Sequence, residues 1–173
     1  MPSPTTNSPT VATNDSSGGS TAWTITSVTN CVCPVDKTTS YYLEMTSYGF
    51  SLPTASALAG IEVAITLGVS GGSGNLYAQM LSANNLVGTS KDLQFTTTGT
   101  TFGGATDLWG VGALSVAEIA ASGFGVSIWV TGNANGSTAT ISGATIKLYY
   151  AEGGPSGPPG SSTSGHFLFT WII

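Results

Sequence analysis

From Gly60 to Val69 the chain reads GIEVAITLGV, with Ile61, Val63, Ile65 and Leu67 at every second position and Glu62, Ala64 and Thr66 between them. Successive side chains of a strand point to opposite faces, so this alternation specifies a strand with one buried and one solvated face. GGSG at residues 71–74 turns the chain, and Asn75–Leu81 pairs back as a hairpin partner. The pattern recurs on both sides. Tyr41–Leu52 alternates through Leu43 and Met45, two out-of-step residues near Ser47 predict a bulge, and Pro53 ends the strand. Leu86–Thr97 follows a turn at Asn84 and Asn85, while Phe124–Thr131 and Thr138–Tyr150 are joined around an Asn/Gly turn at Asn133–Gly136. A first strand is expected over Ala22–Cys33, closed by Pro34. Ser115–Ser122 is the one helical stretch, with Ser115 as N-cap and Glu118 three residues on. Short strands between turn residues, with one short helix, describe an all-β sandwich.

The rest of the 173 residues divides around that body. Residues 1–20 are Ser, Thr, Pro and Gly-rich and read as a flexible arm, with neither the basic start nor the apolar stretch of a secretory signal. Residues 21–150 form the sandwich, and residues 151–165 a Gly/Pro/Ser linker without a sustained collagen register. The stretch HFLFTWII at residues 166–173 is aromatic, β-prone and uncharged, so it is expected to pair as a strand, within its own domain or on a neighbouring subunit. Only 6% of residues are charged, so Ser, Thr, Asn and Gly must supply most of the polar surface. With no Arg, and Lys37, Lys91 and Lys147 as the only lysines, the chain cannot build the phosphate-binding patch that nucleic acid requires. A net charge of −5 likewise argues against an anionic membrane surface, and no stretch approaches the roughly 20 apolar residues of a membrane helix.

Catalytic chemistry finds little to work with. Cys31 and Cys33 share one face of a strand, which keeps them from bonding to each other, and they read as small buried side chains. A metal site needs further ligands, and His166 is the only histidine; it also lies in the apolar C-terminal stretch, where a Ser/His pair has no framework. Asp92, Asp107 and Glu118 are the carboxylates a glycosidase would draw on, yet structural roles suit them better. GVSGGSGN lacks the lysine of a phosphate loop. The expectation is a non-enzyme without cofactor or metal. Binding is the stronger option: Tyr77, Trp129 and Tyr149 stand on strands where rings can face outward and take a sugar, although strand aromatics more commonly pack in a core.

Several residues read as structural landmarks. Phe50 sits where the YGFSLP strand ends, Trp109 plugs one end of the sandwich with its N–H bonded to a loop carbonyl, and Asp107 bonds the amides of that loop. Glu62 and Lys147 pair across adjacent strands. With these residues in view, the order YYLEMTSYGFSLPTASALAGIEVAI, ATDLWG, SGFGVSIWV and TISGATIKLYY resembles a β-sandwich module of tailed-phage structural proteins, over Tyr41–Tyr150. The resemblance implies a jelly-roll-like fold and a place in the virion. It implies a decoration or cement protein that binds the major capsid protein on the capsid exterior as a homotrimer. A carbohydrate- or receptor-binding module of a phage tail or fibre is the alternative. The chain departs from the pattern in lacking Arg on the GIEV strand and in extending past Tyr150. Assembly contacts are therefore expected from Trp23 and from His166, Phe167, Phe169, Trp171, Ile172 and Ile173.

Overall fold

The computed structural model describes residues 3–95 and 99–151. Among them the strands are β1 (Ser3–Asn7), β2 (Val11–Asp15), β3 (Thr24–Ser27), β4 (Asn30–Pro34), β5 (Tyr42–Thr46) and β6 (Ala57–Ser70). They continue with β7 (Gly74–Ser82), β8 (Asn85–Phe95), β9 (Thr100–Gly104), β10 (Gly125–Gly132) and β11 (Thr138–Ala151). One short helix, α1 (Val116–Ala120), precedes β10. It starts where the capping box predicts: the Ser115 hydroxyl accepts from the Glu118 amide, and Glu118 accepts from the Ser115 amide at 2.8 Å.

One sheet runs β3-β4-β11-β6-β9, with β1 also on β11; the other runs β2-β5-β10-β7-β8. The antiparallel pairs β4·β11, β5·β10, β6·β9 and β7·β8 nest inside one another, and alternate pairs fall in opposite sheets. That arrangement is the strand order of a jelly roll, a two-sheet wrap of one long hairpin. Alternation decides what lies between the sheets. Ile61, Val63, Ile65 and Leu67 of β6 face Leu76, Ala78 and Met80 of β7 and Val126, Ile128 and Val130 of β10, all buried. Each Val, Leu, Ile or Met side chain so buried stabilises the fold by roughly 1.5–3 kcal/mol relative to exposure. In β11 the alternation changes phase, from Ala139 and Ile141 to Ala144, Ile146 and Leu148. A register shift between Ile141 and Gly143 absorbs the extra residue.

The structure corrects the expected arm over residues 1–20. β1 pairs with β11 from Ser3↔Tyr150 to Asn7↔Ile146, and β2 pairs with β5 from Val11↔Thr46 to Asp15↔Tyr42. The N-terminal residues thus cross from one sheet to the other and add a strand to each. Asn side chains fix them in place: Asn7 donates to the Tyr48 carbonyl at 2.8 Å, and Asn14 donates to the Trp23 carbonyl while accepting from the Trp23 amide. The backbone ladder, with no apolar stripe in SPTTN, carries this pairing.

Other boundaries shift for local reasons. The expected strand Ala22–Cys33 is a hairpin of β3 and β4 around Val28 and Thr29. β5 stops at Thr46 because Ser47 takes a left-handed φ of 58°, so the predicted bulge is a strand end. The β7–β8 turn falls on Ala83 and Asn84, both at positive φ, the hand that matches strand twist in a two-residue hairpin. Cys31 and Cys33 are free, fully buried neighbours on one face of β4, and burial pushes the Cys33 thiol up to about 12. The expected linker beyond Ala151 and the apolar stretch His166–Ile173 lie outside the described residues.

Candidate functional site

Three clusters collect the side chains that the sequence singles out, and they differ in what they leave free. The first is the Asp107–Trp109 corner. Trp109 is buried at a φ of 56°, and its indole N–H donates to the Ile61 carbonyl of β6 at 2.9 Å, a strand carbonyl where a loop carbonyl was expected. The Asp107 carboxylate accepts from the Trp109 amide at 2.8 Å and meets the Lys91 ammonium at 2.7 Å. Lys91 also stands 5.1 Å from the Trp109 ring centroid. The Lys91 bond and the Trp109 amide hold the Asp107 carboxyl below the usual carboxylate range. Gly103, at a φ of 79°, lies so close to the Ile61 carbonyl and the Trp109 indole nitrogen that no side chain fits there. This corner ties β8 to β6 and β9, and every polar group in it already has a protein partner.

The second cluster lies on the outer face of the β1-bearing sheet. Register places Lys147 opposite Glu62, as the sequence predicts, at 4.0 Å between charged atoms. The Tyr149 hydroxyl donates to Glu62 at 3.0 Å, and Lys147 lies 4.8 Å from the Tyr149 ring. The hydroxyl of Tyr149, ahead of Glu62, raises the Lys147 pKa. Tyr149 is therefore half-buried in a polar triad of its own sheet, apart from Tyr77 and Trp129.

The third cluster is the outer face of the β2-β5-β10-β7-β8 sheet. Inward residues Leu43, Ile128, Leu76 and Ala78 force Tyr42, Trp129 and Tyr77 outward. Tyr77 and Trp129 are direct cross-strand partners with parallel rings 5.2 Å apart, and Tyr42 meets Trp129 edge-on at 5.0 Å. All three are half-buried. Asp15 lies opposite Tyr42 and Asp92 opposite Tyr77, which makes one row across five strands: Asp15, Tyr42, Trp129, Tyr77, Asp92. A polar row runs beside it, through the pairs Thr13↔Glu44, Glu44↔Ser127 and Ser127↔Gln79. Ser127 is fully buried, and its hydroxyl has no hydrogen-bond partner among the described residues. Burial, and then the charge of Asp15, raises the Glu44 carboxyl. Asp15 itself is lowered by the Ser17 amide and hydroxyl that it accepts from.

Sequence reasoning allowed Tyr77 and Trp129 to face outward, with a core position weighed as the commoner fate of strand aromatics, and missed Tyr42. The signal was present in the alternation Tyr42-Leu43-Glu44-Met45, masked by the Tyr41–Tyr42 doublet. Trp23, expected at an interface, belongs to the core instead: it is buried, and its indole donates to the Tyr41 carbonyl at 2.9 Å. Phe50 is a core residue, stacked on Tyr48 and edge-on to Phe124. Glu118 is committed to its cap, and His166, Phe167, Phe169, Trp171, Ile172 and Ile173 lie outside the described residues.

One further surface is partly apolar. β2 and β3, the outermost strands of the two sheets on one side, flank a shallow groove lined by Val11, Ala12, Ile25 and Val28 together with Thr10, Thr26 and Ser27, with Val11 40% exposed.

No protein-family model matches this chain, and no curated protein matches it. The solved structure described as "BiXyn10A CBM1 APO" aligns with 84% of this chain and all of its own length, at 12% identity and a TM-score of 0.33. So distant a likeness says nothing about what this chain does.

Proposed function

We propose that this chain is a non-catalytic binding and assembly module, and in its most specific form a phage capsid decoration protein that acts as a homotrimer. The observation that supports assembly is the groove between β2 and β3: two sheet edges lie side by side with an apolar strip between them. Strand edges with exposed apolar side chains are surfaces that pair with another chain. The resemblance over Tyr41–Tyr150 supplies the virion location and the major capsid protein as partner. The extension past Ala151 supplies a second adhesive element, because HFLFTWII carries the aromatic and aliphatic groups an interface core uses.

Sedimentation of the full chain tests this reading. A trimer that dissociates on Val11→Asp, together with binding to empty capsids that weakens on deletion of residues 153–173, is the expected result. A chain that stays monomeric and binds no capsid would end it. A second reading, a carbohydrate- or receptor-binding module of a tail or fibre, is favoured by the row of Tyr42, Trp129 and Tyr77.

A further inference from the structure

We infer that the outer face of the β2-β5-β10-β7-β8 sheet is a binding site for a neutral chain of hexopyranose sugars lying across the strands. The inference deepens the carbohydrate reading and rests on it.

The composition of the face selects the ligand class. Its centre is a band of three half-buried aromatic rings whose centroids follow one another at 5.0 Å and 5.2 Å. Tyr77 and Trp129 lie face to face and Tyr42 meets Trp129 edge-on, so the band presents one continuous apolar ridge rather than a series of separate platforms. A pyranose is amphipathic in the complementary sense, with apolar C–H groups on its faces and hydroxyls around its rim. Aromatic rings take the former, and hydrogen-bonding groups beside them take the latter.

Those groups stand beside the band. Glu44, Ser127 and Gln79 run along one side, and Asn75, cross-strand from Thr131 and Gln94, along the other. Gln79 already donates to the Gly88 and Val87 carbonyls and Asn75 to the Tyr77 hydroxyl, which leaves their amide oxygens, with the Glu44 carboxylate, to accept from a rim of hydroxyls. Ser127 adds an independent sign. Its hydroxyl, on the outer face of β10 two residues before Trp129, is fully buried with no partner among the described residues. A buried polar group left unpaired is costly, and such exceptions call for a reason. A sugar hydroxyl that parts the neighbouring side chains to reach it supplies one.

Charge excludes the anionic sugars. Asp15 and Asp92 close the two ends of the row and Glu44 stands beside it, while no lysine shares the face. Lys147 belongs to the other sheet, Lys91 turns its ammonium to Asp107, and Lys37 lies in the loop between β4 and β5. A sialylated, sulfated or uronic chain would meet three carboxylates and no cation. Accessible aliphatic side chains, which a protein partner would need around the rings, are also scarce on the three central strands of this face. Tyr42, Glu44, Asn75, Tyr77, Gln79, Trp129 and Thr131 are half-buried, and the one aliphatic at an outward position, Leu81 near the end of β7, is fully buried.

The test is a glycan array probed with the full chain, carrying neutral hexose and N-acetylhexosamine oligomers beside sialylated, sulfated and uronic ones. It is followed by titration of the best ligand against variants whose melting midpoints are measured in parallel. The expected result is binding of neutral oligomers of three or more units, weakened at least tenfold by Trp129→Ala and by Tyr77→Ala. Gln79→Ala, which leaves the rings in place, should weaken it threefold or more. Should Trp129→Ala fail to fold, Tyr42→Ala and Gln79→Ala carry the same decision. Preference for anionic chains would overturn the ligand class while leaving a carbohydrate reading standing. Neutral binding that survives all four substitutions would overturn the site. Self-association lost on Trp129→Ala would assign the face to a second copy of the chain. Silence on every glycan would overturn the inference and the carbohydrate reading together.

Discussion

Trp109 and Trp129 mark two regions that use the same residue type in opposite ways. At the Asp107–Trp109 corner the indole is buried and its N–H is bonded, while the carboxylate and ammonium beside it neutralise each other. On the outer face of the β2-β5-β10-β7-β8 sheet, Trp129 is held by two tyrosines alone and remains half-buried, with carboxylates that no lysine answers. In a chain with so few charges, the ion pairs show where the scaffold is fastened. Lys91–Asp107 fastens one side of the sandwich and Lys147–Glu62 one outer face. The face with aromatics and no ion pair is the one on which the proposed sugar site rests.

The comparison breaks most visibly under truncation. Trp109→Ala removes a buried indole and leaves the Ile61 carbonyl without its donor, so a loss of about 3–5 kcal/mol is expected in urea unfolding. A loss below about 1 kcal/mol would mean that the corner is not a fastening point. Gly103→Ala sets a methyl against the Ile61 carbonyl and the Trp109 indole at a left-handed φ, with an expected cost of about 1–3 kcal/mol by the same measurement. Trp129→Ala should cost no more than about 1 kcal/mol, the scale of a cross-strand aromatic pair, while removing ligand binding. Equal destabilisation by the two Trp truncations would erase the distinction between the regions.

Titration sharpens it further. The Asp107 carboxyl is held below its ordinary value, so its contribution is fully present above pH 3.8 and is lost as pH falls through the lower folded value. Asp107→Asn should therefore be less stable than the parent at pH 6, by at most about 1 kcal/mol for so exposed a pair, and the two should converge in acid. Glu44 has the opposite sign. Its raised value means that stability is lost as pH rises through the folded pKa. Glu44→Gln should thus melt slightly higher than the parent at pH 7 and no higher at pH 3.

How much of this was legible in the sequence depended on whether a segment advertises its burial. The β6 alternation, the 71–74 turn and the Ser115–Glu118 capping box each carry a local signal that tertiary structure only has to accept. β1, β2 and β9 carry almost none. SPTTN and VATND owe their pairing to neighbouring backbones and to Asn7 and Asn14, and TTFGG contributes one buried side chain, Phe102. Trp23 was misplaced for the same reason: a Trp beside an apparent arm looks exposed until that arm becomes β2 and covers it. At the candidate site, outward direction followed from alternation within each strand. The meeting of Tyr42, Trp129 and Tyr77 depended on the register between three strands, which no single segment encodes.

Backbone amide chemical shifts, followed while a neutral hexose oligomer is added to the isotopically labelled full chain, test the central claim most directly. Shifts confined to β5, β10 and β7 around Tyr42, Trp129, Ser127 and Tyr77, with the Glu62–Lys147 face and the Trp109 corner unmoved, are the predicted result. Shifts centred on Tyr149 and Lys147, or no shift at all with the oligomer at millimolar concentration, would contradict it.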